Sequence, residues 1–160
     1  ALLGKVVPGR IPTGLDFHGP NGVTDAPCAL PLAALHLPCL ELKNGRSDLV
    51  VTGGVDTFND IFMYMCFCKT PALSPTGDAR PFDAEGDGTV IGEGIGVVVL
   101  KRWEDAIRDG DRIYSRILSV GTSSDGKGAA IYAPTSPGQQ RALRDGYELA
   151  GVSPETIQLV

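Results

Sequence analysis

The alternation of short apolar runs with longer helix-like stretches constrains this fold more than any other feature. The apolar runs are continuous rather than alternating, which is typical of strands buried on both faces. We predict buried strands at residues 48–52, 97–100 and 113–120, and a fourth at 157–160. Strands of this kind, separated by helices, indicate a layered α/β architecture.

Helices are predicted between these strands. Residues 28–43 are apolar and rich in alanine and leucine, and Asn44-Gly45 supplies a stop signal. A short exposed helix is predicted at 104–108, and a charged helix at 137–150 ended by Gly151. The apolar segment 60–68 fits a helix or a strand equally well, because periodicity alone does not separate the two in so short a run.

Composition limits the function classes. A chain of 160 residues can form one hydrophobic core, so we expect a single partial domain over residues 1–160. The net charge of −5 argues against nucleic acid and against an anionic membrane surface as partners. No stretch reaches the roughly 18 apolar residues of a membrane span. The start, Ala1–Lys5, has neither an initiator Met nor a signal-peptide layout, so we expect a piece of a longer polypeptide. We expect a cytoplasmic location because the four cysteines fit reduced thiols better than a disulfide framework.

The chain has four cysteines, Cys28, Cys39, Cys66 and Cys68. Cys66 and Cys68 are too close together for the usual zinc spacing, and no histidine cluster completes a site, so no metal is predicted. A core of this size needs no disulfide framework. We therefore expect reduced thiols, three of them packed in the interior.

Cys28 stands apart because it begins the predicted helix, at what we expect to be a strand-to-helix junction. The first helical turn offers unpaired N–H groups and the positive end of the helix dipole. These stabilise a thiolate, as a nucleophile requires, and can hold the oxyanion of a tetrahedral intermediate. On position alone, a small packing cysteine explains Cys28 equally well.

Neither histidine is a clear base for Cys28. His36 lies eight residues further along the same predicted helix, about 12 Å along its axis, beyond hydrogen-bond reach. His18 lies in a predicted turn, at a position that the sequence does not relate to Cys28. We therefore expect the base to lie outside this sequence.

The glycine cluster Gly86–Gly96 does not fit a dinucleotide-binding loop. The G-x-G-x-x-G pattern fails at its sixth position, and the cluster precedes a strand instead of following one. We expect these glycines to permit close backbone approach and positive φ in a compact loop. No bound cofactor is predicted.

Taken together, these segments resemble the β-ketoacyl synthase family over essentially all 160 residues. Asp25-Ala-Pro-Cys28-Ala29 resembles its nucleophile motif, and Gly45–Val55 resembles the following loop and strand. The most specific likeness is the ordered series Ala72–Ser74, Arg80–Asp83, Asp87-Gly88 and Gly92–Gly96. Residues 56–65, 121–127 and 131–134 more narrowly resemble the ketosynthase domains of polyunsaturated fatty-acid synthases and iterative polyketide synthases.

The resemblance implies a thiolase-like layered αβαβα fold, of which this chain is the N-terminal half. It implies that Cys28 accepts an acyl group from the phosphopantetheine of an acyl carrier protein or from coenzyme A. Decarboxylative condensation with a malonyl thioester would then give a β-ketoacyl product. It also implies a homodimer. Two catalytic histidines of the family are expected beyond Val160, so the piece alone is expected to be inactive.

Four residues depart from the family pattern. Pro27 precedes the nucleophile, and Leu30 and Pro31 follow where small residues are usual. Pro38 lies inside the predicted helix, where it removes the hydrogen bond to the Ala34 carbonyl and is expected to cost about 3 kcal/mol or to kink the helix. These departures support an alternative: a non-catalytic ketosynthase-like domain that serves dimerisation or carrier-protein contacts.

Overall fold

A computed structural model describes residues 6–26, 28–128 and 133–160. The chain divides into two compact units, the first formed by residues up to 34 with 50–100, and the second by 35–49 with 101–160. The elements in chain order are α1 (Val6–Leu15), α2 (Leu30–Lys43), β1 (Leu49–Asp56), α3 (Ile61–Lys69), β2 (Gly94–Lys101), α4 (Trp103–Asp109) and α5 (Ser136–Ala150), followed by a 3₁₀ turn at Pro154–Thr156.

The two strands β1 and β2 pair with each other, which confirms the strands predicted at 48–52 and 97–100. Their backbones approach closely at Gly53. A Cβ on Gly53 would overlap the Gly96 carbonyl oxygen and lie 2.8 Å from the Val97 Cα. Only glycine therefore allows this approach.

The strands predicted at 113–120 and 157–160 are not formed. Among the described residues, 111–126 and 157–160 have no regular secondary structure. A strand is defined by its hydrogen-bonded neighbour, and an apolar run without a partner in the described part of the chain remains irregular. An apolar run indicates that a segment can form a strand, but the strand forms only where a neighbouring strand is available to hydrogen-bond with it.

The ambiguous segment 60–68 is helical as α3. The Asp60 carboxylate accepts a hydrogen bond from the Met63 amide at 3.0 Å, the usual N-cap arrangement. The two charged helices are confirmed, and both end on a left-handed glycine, Gly110 (φ 71°) and Gly151 (φ 65°). Helix α1, which contains Gly9 and Pro12, has no counterpart among the predicted elements.

Helix α2 begins at Leu30 rather than at 28 and continues through Pro38 to Lys43. Residues 20–26 before it have no regular secondary structure, so the predicted strand-to-helix junction at Cys28 is a loop-to-helix junction. None of the described helices is both long and apolar enough to cross a membrane.

The expected hydrophobic core is small. Only Ala34, Leu42 and Ala106 are buried apolar residues in the described ranges. Strand β2 exposes consecutive side chains, with Ile95 at 71% and Val97 to Val99 all at 45% or more. Since neighbouring residues of a strand point to opposite faces, both faces of β2 present apolar side chains that the described residues leave uncovered.

Polar contacts of Arg102 organise part of the second unit. Its Nη1 donates to the carbonyls of Leu42 (3.1 Å) and Ser47 (2.7 Å), its Nε to Asp105 (2.6 Å), and its Nη2 pairs with Asp48. A planar guanidinium can donate in several directions at once. Arg102 thus holds the end of α2 and the loop after it against the start of α4.

Candidate active site

Cys28 occupies a sharp turn in front of α2. The Ala29 amide donates to the Ala26 carbonyl at 3.0 Å, and Cys28 has φ 66°. A residue with a Cβ rarely adopts this left-handed conformation, which costs on the order of 1–3 kcal/mol and is concentrated at functional sites. The side chain of Cys28 is exposed. The turn therefore presents its thiol to solvent instead of packing it, contrary to the simple packing interpretation.

The first turn of α2 follows directly. The Ala33 amide donates to the Ala29 carbonyl at 2.9 Å, so helical bonding starts one residue after Cys28. Of the N–H groups that precede this bond, that of Ala29 is paired with the Ala26 carbonyl, whereas those of Leu30 and Leu32 are of the kind that a helix leaves unpaired at its start. Pro31 has no N–H, and its fixed φ suits a first turn. The residues around Cys28 can thus supply backbone donors next to the sulfur.

Strand β1 touches α2 at two points. The Thr52 hydroxyl donates to the Ala34 carbonyl at 2.6 Å, and a Cβ on Gly54 would lie 3.2 Å from the Pro31 Cγ. Thr52 and Gly54 lie two residues apart on one face of the strand, and Pro31 and Ala34 lie one turn apart on the helix. These contacts fix the register between β1 and the start of α2.

The structure does not bring a histidine of this chain to Cys28 as a base. His18 is exposed, with its Nε2 3.5 Å from the Asp16 carboxylate, in the turn after α1. His36 is half-buried within α2. The role of base stays unassigned among the described residues.

The other cysteines differ from prediction. All four are free thiols, but Cys66 and Cys68 are exposed on α3, so the expectation of three packed cysteines is wrong for this pair. Cys39 is half-buried, and burial raises the pKa of its thiol. Exposure therefore does not distinguish Cys28 from Cys66 and Cys68, whereas its backbone conformation does.

The loop between α3 and β2 is organised around the carboxylate of Asp87. Ser74 and Thr76 donate hydroxyl hydrogen bonds to it at 2.7 and 2.9 Å, and the Arg80 guanidinium lies 3.2 Å away. Hydrogen bonds from Ser74 and Thr76, with a further contribution from Arg80, lower the pKa of Asp87. Asp87 thus binds Arg80, Ser74 and Thr76 of its own loop and holds the loop together.

Glycine is required at one place in this loop above all. Gly88 has φ 155°, and a Cβ there would lie 2.5 Å from the Ser74 nitrogen. A parallel bridge joins the flanking residues Leu73 and Thr89. The expectation of close approach and positive φ is confirmed at Gly88. It is wrong at Gly92, Gly94 and Gly96, where an added Cβ would meet nothing within 4 Å and the φ is not left-handed.

Asn59 connects the start of α3 to the glycine-rich segment. Its amide N–H donates to the Glu93 carboxylate at 2.8 Å, and its side-chain Nδ2 donates to the Gly92 carbonyl at 2.7 Å. Sequence analysis places these residues in segments that resemble the family but predicts no contact between them. Their separation of 34 positions leaves no local signal that could reveal the pairing.

In the second unit, residues 119–125 lie along α5. Ser119 donates to the Gly146 carbonyl at 2.7 Å, and the Thr122 amide donates to the Asp145 carboxylate at 2.9 Å. Thr135, the N-cap of α5, donates to Asp125 at 2.7 Å.

Of the residues singled out in the sequence, Ala1–Lys5, Pro27, Ile131 and Tyr132 lie outside the described ranges.

Comparisons with known proteins agree on one family. The family model "Beta-ketoacyl synthase, N-terminal domain" matches residues 2–106, and the corresponding C-terminal domain matches residues 114–160. The chain is 46% identical over 159 residues to a polyunsaturated fatty acid synthase subunit of Thraustochytrium sp., covering 99% of this chain and 6% of that protein. It is 39% identical over 156 residues to a phenolphthiocerol/phthiocerol polyketide synthase subunit of Mycobacterium tuberculosis, covering 98% of this chain and 8% of that protein.

Solved structures show the same likeness. The ketosynthase from module 6 of the bacillaene synthase of Bacillus subtilis 168 superposes with a TM-score of 0.92 at 38% identity, over 96% of this chain and 27% of that one. The predicted thiolase-like α/β fold is confirmed, with the addition that residues 114–160 match the family's C-terminal domain. That residues 1–160 form one partial domain stays a prediction.

Proposed function

Since the chain belongs to the β-ketoacyl synthase family, we propose that it carries the nucleophile of a condensing enzyme of fatty-acid or polyketide synthesis, and that this nucleophile is Cys28. One observation carries the assignment. Cys28 combines a left-handed backbone, an exposed thiol and a position directly before α2. Cys66 and Cys68 are also exposed but lie within a regular helix.

The proposed reaction has two stages. In the first, the Cys28 thiolate attacks the carbonyl carbon of an acyl thioester held on phosphopantetheine, the bond from that carbon to the carrier sulfur breaks, and the carrier sulfur leaves as a thiolate that takes up the proton given up by Cys28. Backbone N–H groups at the turn, including that of Cys28, stabilise the oxyanion of the intermediate. The acyl group is then bound to Cys28 as a thioester.

In the second stage a malonyl thioester loses carbon dioxide, and the electrons of the broken C–C bond remain on its α-carbon. This carbanion attacks the acyl group on Cys28. The carbon–sulfur bond breaks, a β-ketoacyl thioester forms on the carrier and the Cys28 thiolate is restored. The groups that assist decarboxylation are proposed to be histidines outside these 160 residues, since His18 lies beside Asp16 instead.

One feature supports the proposal over a non-catalytic relative. The non-catalytic alternative rests on the prolines near Cys28, yet α2 contains both Pro31 and Pro38 and remains one helix. The uncovered apolar faces of β2 agree with a chain that shares its fold with further polypeptide. An acyl carrier protein domain as partner and a homodimer are part of the same proposal. We expect the isolated chain to be inactive.

The test is acylation of the full-length protein by an acyl thioester, followed by mass spectrometry of its peptides. We expect added acyl mass on the peptide that contains Cys28. Cys28→Ala should abolish this mass, and Cys66→Ala, which also removes an exposed thiol, should not. A folded protein without label, or equal labelling of the two variants, would refute the assignment.

A further inference from the structure

The carbonyl of Ala34 lacks its normal partner in α2. In a helix this oxygen accepts a hydrogen bond from the amide four residues later, and that residue is Pro38, which has no N–H. Ala34 is a buried residue, with 9% of its surface exposed. An unpaired carbonyl there would be destabilising, because buried backbone groups require a partner.

Strand β1 supplies that partner. The Thr52 hydroxyl donates to the Ala34 carbonyl at 2.6 Å, a distance at the short end of the normal range. The donor comes from a different element, so the bond fastens the helix to the strand as well as pairing the carbonyl. In a helix without Pro38 the same carbonyl would be bonded internally, and the hydroxyl would be a second donor.

The fastening lies close to Cys28. Ala34 lies four residues after Leu30, the first residue of α2, about 6 Å along the helix axis, and Cys28 lies two residues before Leu30. Between them, Pro31 rests against Gly54 of the same strand face. Two contacts, one turn apart on α2, therefore determine where the helix start lies relative to β1, and the turn of Cys28 is continuous with that start.

We infer that Thr52 is a positioning residue for Cys28: its hydroxyl replaces the amide lost at Pro38 and so holds the start of α2, and the thiol before it, in place. The inference rests on the proposed role of Cys28 as nucleophile. It predicts a coupling between residues 52 and 38 that neither substitution alone reveals.

Four variants of the full-length protein test it: Thr52→Val, Thr52→Ser, Pro38→Ala and the double variant Thr52→Val/Pro38→Ala. The readouts are the rate of Cys28 acylation and the pH profile of Cys28 alkylation by iodoacetamide. Thr52→Val should slow acylation about five- to tenfold, the effect of one lost hydrogen bond, and should shift the alkylation profile. Thr52→Ser should match the wild type, because it keeps the hydroxyl.

The double variant is decisive. Alanine in place of Pro38 has an N–H that can bond to the Ala34 carbonyl, so Thr52→Val should have little effect in the Pro38→Ala background. Thr70→Val is the matched control, because the Thr70 hydroxyl also bonds a helix carbonyl, that of Phe67, where no proline intervenes. It should leave Cys28 unchanged.

An unchanged Thr52→Val, or an equal defect in the double variant, would overturn the inference. If Thr52→Val does not accumulate as folded protein, recovery on adding Pro38→Ala supports the inference and failure of both overturns it. Failure of the proposed function is separate: wild-type Cys28 would then take no acyl group, while alkylation would still report whether residues 52 and 38 are coupled.

Discussion

Replacing Gly53 by alanine places a methyl group into a close backbone contact between β1 and β2. The added Cβ would overlap the Gly96 carbonyl oxygen and lie 2.8 Å from the Val97 Cα, both of which are backbone atoms that cannot rotate away. Overpacking of this kind costs about 1–3 kcal/mol. The lower entropy of an unfolded chain with alanine returns about 0.4–1 kcal/mol. The net expectation is a loss of up to about 2.6 kcal/mol, with a central value of about 1.3 kcal/mol.

Gly96→Ala is the matched control, since it makes the same change on the partner strand. A Cβ on Gly96 meets nothing within 4 Å, and its φ is not left-handed. This variant should therefore gain about 0.4–1 kcal/mol. Adjacent glycines of one strand pair are thus predicted to respond with opposite sign.

Hydrogen exchange of the full-length protein, read on peptides from β1 and β2, measures the local opening free energy. Since about 1.4 kcal/mol corresponds to a factor of ten, Gly53→Ala should exchange roughly tenfold faster than the wild type, and Gly96→Ala more slowly. Equal exchange in both variants, or slower exchange in Gly53→Ala, would refute the argument from close backbone contact.

Three further substitutions test the contacts of Arg102, Asp87 and Gly121. Arg102→Lys should speed exchange of the loop after α2, because one ammonium cannot serve the four partners of the guanidinium; unchanged exchange would contradict this. The pKa of Asp87 is lowered by folding, so its contribution is complete above its unfolded value of about 3.9 and disappears as pH falls through the lower folded value. The unfolding temperature of Asp87→Asn should therefore be lower than that of the wild type at about pH 6, and the two temperatures should converge in stronger acid. A difference that does not change with pH would contradict this. Gly121→Ala should loosen residues 119–125 from α5 and so speed proteolysis of that segment, because the added Cβ would overlap the Ala142 carbonyl. Gly92→Ala is the control, because a Cβ there would meet nothing within 4 Å. Equal rates of proteolysis in the two variants would contradict the predicted overlap at Gly121.

The sequence alone determined the features that depend on neighbours in the chain. Apolar runs and a glycine stop predict the strands at 48–52 and 97–100 and the helix ended by Gly151, and the structure confirms them. Cys28 stands out from its place at the start of a predicted helix. These signals are local, because propensity, capping and turn chemistry act over a few residues.

Tertiary structure decided what depends on a distant partner. The apolar run at 113–120 remains irregular because the described residues offer it no neighbouring strand. The hydrogen bond from Ser74 to Asp87 joins residues 13 positions apart, and the bond from Thr52 to the Ala34 carbonyl joins residues 18 positions apart. The sequence shows that Pro38 removes a hydrogen bond, and only the packing of β1 on α2 shows which group takes its place.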